Sequence, residues 1–103
     1  MELLTKEIRD KFKKTGSQDG KGAEAIVIVK FFDPTGSWTW YATEFDGEDI
    51  FFGLVDGFEL EWGSFRLSEL KSFKGPLGLG IERDLYLGMP RLKDINGIKD
   101  RIA

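Results

Sequence analysis

The segment Phe51–Leu70, FFGLVDGFELEWGSFRLSEL, constrains the fold of this chain more than any other part of the sequence. It holds two strand-like runs on either side of the turn dipeptide Asp56-Gly57, followed by the start of a helix. Runs joined so closely pair with each other as an antiparallel hairpin. The alternation of the second run predicts an apolar face and an acidic, solvent-facing side. We expect the core residues to be Phe58, Leu60 and Trp62, and the outward residues to be Glu59 and Glu61.

A first hairpin is predicted directly before this segment. Ala25–Phe32, AIVIVKFF, is an unbroken β-branched run typical of a strand that is covered on both faces. The sequence DPTG at residues 33–36 has the composition of a type I turn, and a second strand follows over residues 38–44. Its alternation predicts that Trp38 and Trp40 lie in the core and that Tyr41 points to the opposite, more exposed side.

Helical patterns flank the two hairpins. Residues 3–14 have the apolar spacing of a short helix with Thr5 as its N-cap and Gly16 at its end. Ser68 is expected to cap a second helix, which Gly75-Pro76 limits to one or two turns. We therefore predict a single α+β domain over residues 1–103. Its four-stranded, mainly antiparallel sheet of two consecutive hairpins is packed by the N-terminal helix and by short C-terminal helices; a strongly bent, partly closed barrel is the alternative.

The composition excludes several chemistries. The chain has no cysteine and no histidine, which removes thiolate nucleophiles, the usual zinc ligands and the commonest general base. We expect no cofactor and no metal. Neither a signal peptide nor an apolar run of membrane-spanning length is visible, so the expected location is the cytoplasm, without membrane contact.

The acidic residues are concentrated in the middle of the chain. Residues 31–65 contain eight carboxylates and no lysine or arginine, although the net charge of the whole chain is only −3. Such a segment can produce a negative field that steers a basic protein toward it. The first hypothesis is therefore a non-catalytic protein-binding module. Its expected partner-binding residues are Glu44, Asp46, Glu48, Asp49, Asp56, Glu59 and Glu61, with Tyr41 and Arg83 as secondary candidates.

Two alternative functions remain open at this point. A single-stranded nucleic-acid binder would combine lysines 11, 13, 14 and 21 with Tyr41 or Trp38, although the pI near 5.0 counts against it. A carboxylate-dependent enzyme would use acidic residues of the fourth strand and of the later loop, namely Glu59, Glu61, Glu82 and Asp84.

Two local motifs also allow two interpretations each. Asp46–Asp49 has the composition of a hairpin turn, which is favoured over a divalent-cation site because the frame of a calcium loop is missing. Arg83, between two acids, is expected to anchor its loop through an ion pair; the alternative is that it contacts a ligand.

Three stretches together resemble a known family: LLTKEIRDKF, VKFFDPTGSWTWYATE and FFGLVDGFELEWGSFRLSELKSFKGPLGLGIERDLYL. They are similar to a family of small bacterial proteins catalogued as a domain of unknown function, DUF2958, and the similarity covers residues 2 to about 90. The family is common on plasmids, integrative elements and phages, so the resemblance implies a genetic setting and no residue roles. In that setting, the basic partner could be a nucleic-acid-binding host defence protein, which would make this chain an inhibitor of the anti-CRISPR or antirestriction type.

Overall fold

A five-stranded antiparallel sheet forms the centre of the protein, whose computed structural model describes residues 1–102. The strands lie in the order β4-β3-β2-β1-β5. Four of them are β1 (Val29–Phe32), β2 (Thr39–Phe45), β3 (Ile50–Asp56) and β4 (Leu60–Arg66), which form the two predicted consecutive hairpins. The α+β class is confirmed, and the count of four strands is wrong by one.

The additional strand, β5, is only two residues long, Glu82–Arg83. It comes from the glycine-rich loop and pairs with the free edge of β1, where Arg83 lies opposite Phe31. Two residues show no alternation, so the sequence pattern gives no sign of this strand. The strand exists because β1 would otherwise present an unpaired edge.

Two α-helices complete the part of the chain that the structure describes, α1 (Lys6–Thr15) and α2 (Leu67–Ser72). Short 3-10 turns occupy Gly22–Glu24, Pro76–Gly78 and Leu92–Asp94. The predicted N-cap of α1 is confirmed, because the Thr5 hydroxyl accepts a hydrogen bond from the Ile8 amide at 3.2 Å. Within residues 1–102, no helix has the length and apolar character needed to cross a membrane.

One face of the sheet packs against α1 and α2, and we call it the helix face. Phe51, which is fully buried, is at the centre of its aromatic cluster. The ring of Phe51 lies between 4.5 and 5.8 Å, centroid to centroid, from four other rings, those of Phe12, Phe31, Phe45 and Phe65. This cluster joins α1 to β1, β2, β3 and β4, so residues from the first hairpin, the second hairpin and the helix stabilise one another.

The opposite face is covered by the C-terminal segment, and we call it the tail face. Leu92 and Ile98 are buried there against Tyr41 and Leu54. Tyr41 is only 6% exposed, so the prediction that it faces solvent is wrong. Its burial raises the pKa of its hydroxyl above the ordinary value. Tyr41 does lie on the face of β2 opposite Trp40, as the alternation predicts, but both faces of the strand are covered.

The prediction for the start of β4 is also wrong. Phe58 is 95% exposed and lies in the connection between β3 and β4, because the strand begins only at Leu60. In this connection the Gly57 amide donates to the Glu59 carbonyl at 3.0 Å, and φ of Gly57 is outside the left-handed region that a type I′ turn requires. Trp62 points to the tail face but remains 41% exposed, stacked on Phe52 beyond the cover of the C-terminal segment.

Candidate functional site

The acidic residues of the middle segment lie at two opposite ends of the sheet. Asp46, Glu48 and Asp49 belong to the connection between β2 and β3, whereas Asp56 and Glu59 flank the connection between β3 and β4. Because the intervening strands have seven residues, the two ends are roughly 20 Å apart. The structure therefore divides most of the predicted partner-binding carboxylates between these two ends of the sheet.

At the β2–β3 end, Asp46 is used to build the turn. One of its carboxylate oxygens accepts hydrogen bonds from the amides of Glu48, Asp49 and Ile50, at 2.8 to 3.0 Å. These bonds favour the ionised form and lower the pKa of Asp46. The geometry is that of a hairpin turn, which is the interpretation that the sequence favoured.

Asp49 at the same end supplies the cap of α2. Its carboxylate accepts hydrogen bonds from the Ser68 hydroxyl at 2.7 Å and from the Ser68 amide at 2.8 Å. The bond from the Ser68 hydroxyl is the largest cause of a lowered pKa of Asp49. The prediction that Ser68 itself caps the helix is wrong, because Arg66 occupies the N-cap position and the capping oxygen comes from Asp49, 19 residues from Ser68.

Glu44, near the same end, contacts a residue that the sequence analysis did not single out. Its carboxylate accepts a hydrogen bond from the amide of Gln18 at 3.1 Å. The Gln18 side chain is buried and bonds both backbone groups of Ile26 as well as the carbonyl of Thr43. Thr43 is the bulged residue of β2. Glu44 and Gln18 thus stabilise an irregular part of the sheet, and a lone glutamine in a polar loop gave no signal of this.

At the β3–β4 end, one carboxylate is paired and two are free. Asp56 receives two hydrogen bonds from the Arg101 guanidinium, at 3.1 and 3.2 Å. Glu59 and Glu61 are exposed, and within residues 1–102 neither forms a side-chain hydrogen bond or ion pair. They are the acidic residues of β4 and its turn that remain available for an external partner.

These two glutamates line a shallow groove of about 260 Å³ together with Trp38, Phe58 and Val55, which we call the Trp38 groove. The rings of Trp38 and Phe58 meet edge to face at 5.3 Å. Gly57 makes this arrangement possible, because a β-carbon at that position would lie 2.6 Å from the Trp38 ring. Trp38 is half-buried, so the prediction that it fills the core is only partly met.

The Trp38 groove has the chemistry of a cation site. The faces of aromatic rings attract ammonium and guanidinium groups, and the two carboxylates add negative charge beside them. General acid–base catalysis by a carboxylate pair places one of the two in an apolar, desolvated setting, whereas both glutamates here are exposed. Neither glutamate of this groove therefore has the apolar surroundings that a general acid of such a pair requires.

The residues of the nucleic-acid alternative are not assembled into one surface. Tyr41 is buried and cannot stack on a base. Lys13 lies beside Asp46 at the β2–β3 end, far from Trp38, and Lys11 is paired with Glu7 at 3.5 Å. None of the four lysines of this alternative lines the aromatic groove.

Arg83 is placed on the helix face by its pairing with Phe31. Its side chain forms no ion pair with any group in residues 1–102, so the prediction that it anchors its loop is wrong. The neighbouring Asp84, which points to the other face, supplies the loop's ion pair by contacting Lys30 at 3.7 Å. One terminal nitrogen of Arg83, Nη1, is buried and has no hydrogen-bond partner among residues 1–102.

Comparison with known proteins gives one match. The family described as "Protein of unknown function (DUF2958)" matches residues 3–99, which include every strand and helix of the fold. No curated protein and no solved structure shows significant similarity to the chain. Since the match covers nearly the whole chain, this protein belongs to the DUF2958 family.

Proposed function

We propose that this protein is a non-catalytic binding module that recognises a basic partner protein through the Trp38 groove. The observation that carries the proposal is the position of Glu59 and Glu61, which have no side-chain hydrogen bond or ion pair within residues 1–102 and adjoin the exposed Phe58 ring and the half-buried Trp38 ring. Most other carboxylates of the acidic segment are engaged in turns, caps or ion pairs. The proposed interface therefore contains only two of the seven acidic residues that the sequence pattern predicted.

The groove is suited to an arginine or lysine side chain. A guanidinium can lie against the Phe58 or Trp38 ring while it donates hydrogen bonds to a carboxylate. Phe58 is almost completely exposed, and a phenylalanine in that position contributes little to the fold. Burying it against a partner would remove apolar surface from water and add to the affinity.

The proposed partner is a nucleic-acid-binding protein of the host, and the chain acts as its inhibitor. Grooves that bind single-stranded nucleic acid combine positive charge with surfaces that stack on bases. The Trp38 groove combines the negative charge of Glu59 and Glu61 with aromatic rings, so it can contact both the positive charge and the stacking surface of such a partner. This finer proposal also rests on the mobile-element setting that we infer for the family.

The proposal is tested by titrating the protein with a short arginine-rich peptide and following tryptophan fluorescence. The double variant Glu59→Gln/Glu61→Gln should bind the peptide about tenfold more weakly at low salt, and the difference should shrink at high salt. Phe58→Ala should also weaken binding while the melting temperature stays unchanged. A lysine-rich peptide of equal length shows whether the planar guanidinium matters.

The matched control is Glu48→Gln/Glu69→Gln, which changes the net charge by the same amount. Glu48 and Glu69 are exposed, form no side-chain hydrogen bond or ion pair within residues 1–102 and lie outside the Trp38 groove. Equal loss of binding in both double variants would mean that only the total charge matters, and the proposed site would be rejected. The inhibitor proposal fails separately if an excess of single-stranded oligonucleotide does not compete with this protein for a host nucleic-acid-binding protein.

A further inference from the structure

The outer side of β4 is an unpaired edge of the sheet. In the strand order, β4 pairs with β3 on one side, and no other strand within residues 1–102 lies beside it. This edge is seven residues long, has an unshifted register with β3 and contains no proline. The opposite edge differs, because β5 is only two residues long. Natural sheets generally shorten, bend or cover their edges, so an open edge of this length is a surface on which another strand can pair.

The alternation of the ladder identifies the backbone groups of β4 that point outward. The Leu67 amide donates to the Asp49 carbonyl at 2.8 Å, so residue 67 and, by alternation, the odd-numbered residues of β4 form their backbone hydrogen bonds with β3. The N–H and C=O groups of the even-numbered residues inside the strand therefore point away from the sheet, at Leu60, Trp62 and Ser64. An antiparallel strand beside β4 can form hydrogen bonds with all of them.

Glu61 in β4 and Glu59 directly before it give this edge its negative charge. Both line the Trp38 groove, so they project from the same side of the strand. The alternation includes Glu59, whose carbonyl accepts a hydrogen bond from the Gly57 amide at 3.0 Å. Residues opposite the two glutamates on an added strand would therefore be in non-hydrogen-bonded pairs, where side chains approach most closely. Opposite charges in such pairs are stabilising, so the edge favours a strand with basic residues two positions apart.

A second copy of this chain does not supply such a strand. The basic residue of β4 is Arg66, which lies on the opposite side of the strand from Glu61. Residues that face each other on neighbouring strands project to the same side of the sheet. No antiparallel pairing of β4 with β4 therefore places Arg66 against Glu59 or Glu61, and the matching charge must come from a different protein.

We propose that the edge of β4 binds an extended segment of the basic partner, which pairs antiparallel to β4 and has arginine or lysine opposite both Glu59 and Glu61. This inference rests on the proposed function, because the same two glutamates bind the partner. It adds that the backbone of the partner is recognised together with its side chains. Hydrogen bonds to the outward groups of β4 supply affinity for any extended segment, and the alternating basic residues supply specificity.

The test uses a short capped peptide in which threonine alternates with arginine, together with two N-methylated forms. When the arginines lie opposite the glutamates, the threonine amides point toward β4 and the arginine amides point away. Methylation of the threonine amides should weaken binding about tenfold or more, measured by tryptophan fluorescence, whereas methylation of the arginine amides should change it less than about twofold. Equal binding of the two methylated forms would overturn strand pairing and leave the proposed function standing. Absence of binding by the unmethylated peptide would reject both.

An isomeric peptide tests the spacing of the basic residues. It has the same composition, with its arginines in one adjacent block. Adjacent residues on a strand project to opposite sides, so this peptide places fewer arginines against the glutamates and should bind more weakly. Equal affinity of the two isomers would contradict the proposed register of the added strand.

Ser64→Pro tests the edge from the side of the protein. Proline is accepted on edge strands where its missing N–H would face outward, so pairing with β3 is retained while one outward donor is lost. Binding of the unmethylated peptide should weaken, and unchanged binding would contradict the proposal. If the variant fails to fold, the methylated peptides still decide the case with the unmodified protein. A dimer of the free protein that Ser64→Pro abolishes would assign the edge to a second copy and overturn the proposal.

Discussion

The two ends of the central hairpins carry similar numbers of carboxylates and use them differently. At the β2–β3 end, Asp46 and Asp49 accept hydrogen bonds that close a turn and cap α2. At the β3–β4 end, Glu59 and Glu61 have no such partners within residues 1–102 and lie beside the exposed Phe58 ring and the half-buried Trp38 ring. A carboxylate that already accepts hydrogen bonds within the fold has fewer lone pairs free for a partner, which is why we propose binding at the β3–β4 end.

The difference between the two ends comes from side-chain length and from what lies nearby. Aspartate is short enough to reach the amides of its own turn, which is why it is favoured in tight connections. Glutamate on a strand, as at position 61, projects away from the backbone and finds no donor close by. Clustered acidic residues in a sequence therefore do not by themselves indicate a binding surface.

The largest effect is expected from Gly53→Ala, which tests whether both ends depend on one intact sheet. Gly53 lies in β3 between the two ends, and a β-carbon there would clash with the carbonyl oxygen of Tyr41. Because that oxygen belongs to the backbone of the adjacent strand, the sheet must deform, and we expect about 3 kcal/mol of destabilisation in urea unfolding.

The matched control for this change is Gly63→Ala. Gly63 is the partner of Gly53 on β4, and a β-carbon there would have open space. Its replacement should leave the free energy of unfolding unchanged or raise it by about 0.5 kcal/mol. Equal destabilisation by the two variants would show that the close approach of β2 to Gly53 is not the cause of the effect.

An intermediate effect on stability is expected from Asp49→Ala, which tests whether the β2–β3 end stabilises the fold without taking part in peptide binding. The variant loses the two hydrogen bonds to Ser68 that cap α2, so the melting temperature should fall by several degrees while peptide binding is retained. Glu61→Gln should give the opposite result, weaker binding without a change in melting temperature. If Asp49→Ala weakened peptide binding as strongly as Glu61→Gln does, the assignment of stability to the β2–β3 end and of binding to the β3–β4 end would be wrong.

The smallest expected effect is a difference between variants in how far the melting temperature falls at low pH. The pKa values of Asp46 and Asp49 are lowered from their ordinary value of 3.8, so these groups stabilise the fold while they are ionised. Their contribution is present above that ordinary value and is lost as the pH falls through the lowered values in the folded protein. The melting temperature measured against pH should therefore decline more steeply below pH 3.8 in the unmodified protein than in Asp49→Ala.

The melting temperature of Glu59→Gln/Glu61→Gln can be measured against pH in the same way, which tests the carboxylates of the β3–β4 end. This variant keeps Asp46 and Asp49, so its decline below the ordinary aspartate pKa should match that of the unmodified protein. A flatter profile would show that the β3–β4 end also contributes to stability through its carboxylates, and the assignment of separate roles would then be wrong.

The candidate site was predicted only in part from the sequence. The acidic segment and Trp38, which directly precedes β2, were identified, and Glu59 and Glu61 were placed correctly on an exposed side. The exposure of Phe58 was missed because it depends on where β4 begins, and a strand displaced by two residues moves a side chain from the sheet into the turn. The buried nitrogen of Arg83 was missed because it requires the position of β5.

The sequence by itself determined the local elements: the helix capped by Thr5, the two hairpins, and the turns rich in aspartate and glycine. These follow from side-chain spacing and backbone preference, which act over a few residues. Only the tertiary structure decided which face of each strand is covered, which carboxylates are engaged and which remain free. Those outcomes depend on contacts between distant segments, such as Asp49 with Ser68 and Arg101 with Asp56, and no local pattern encodes them.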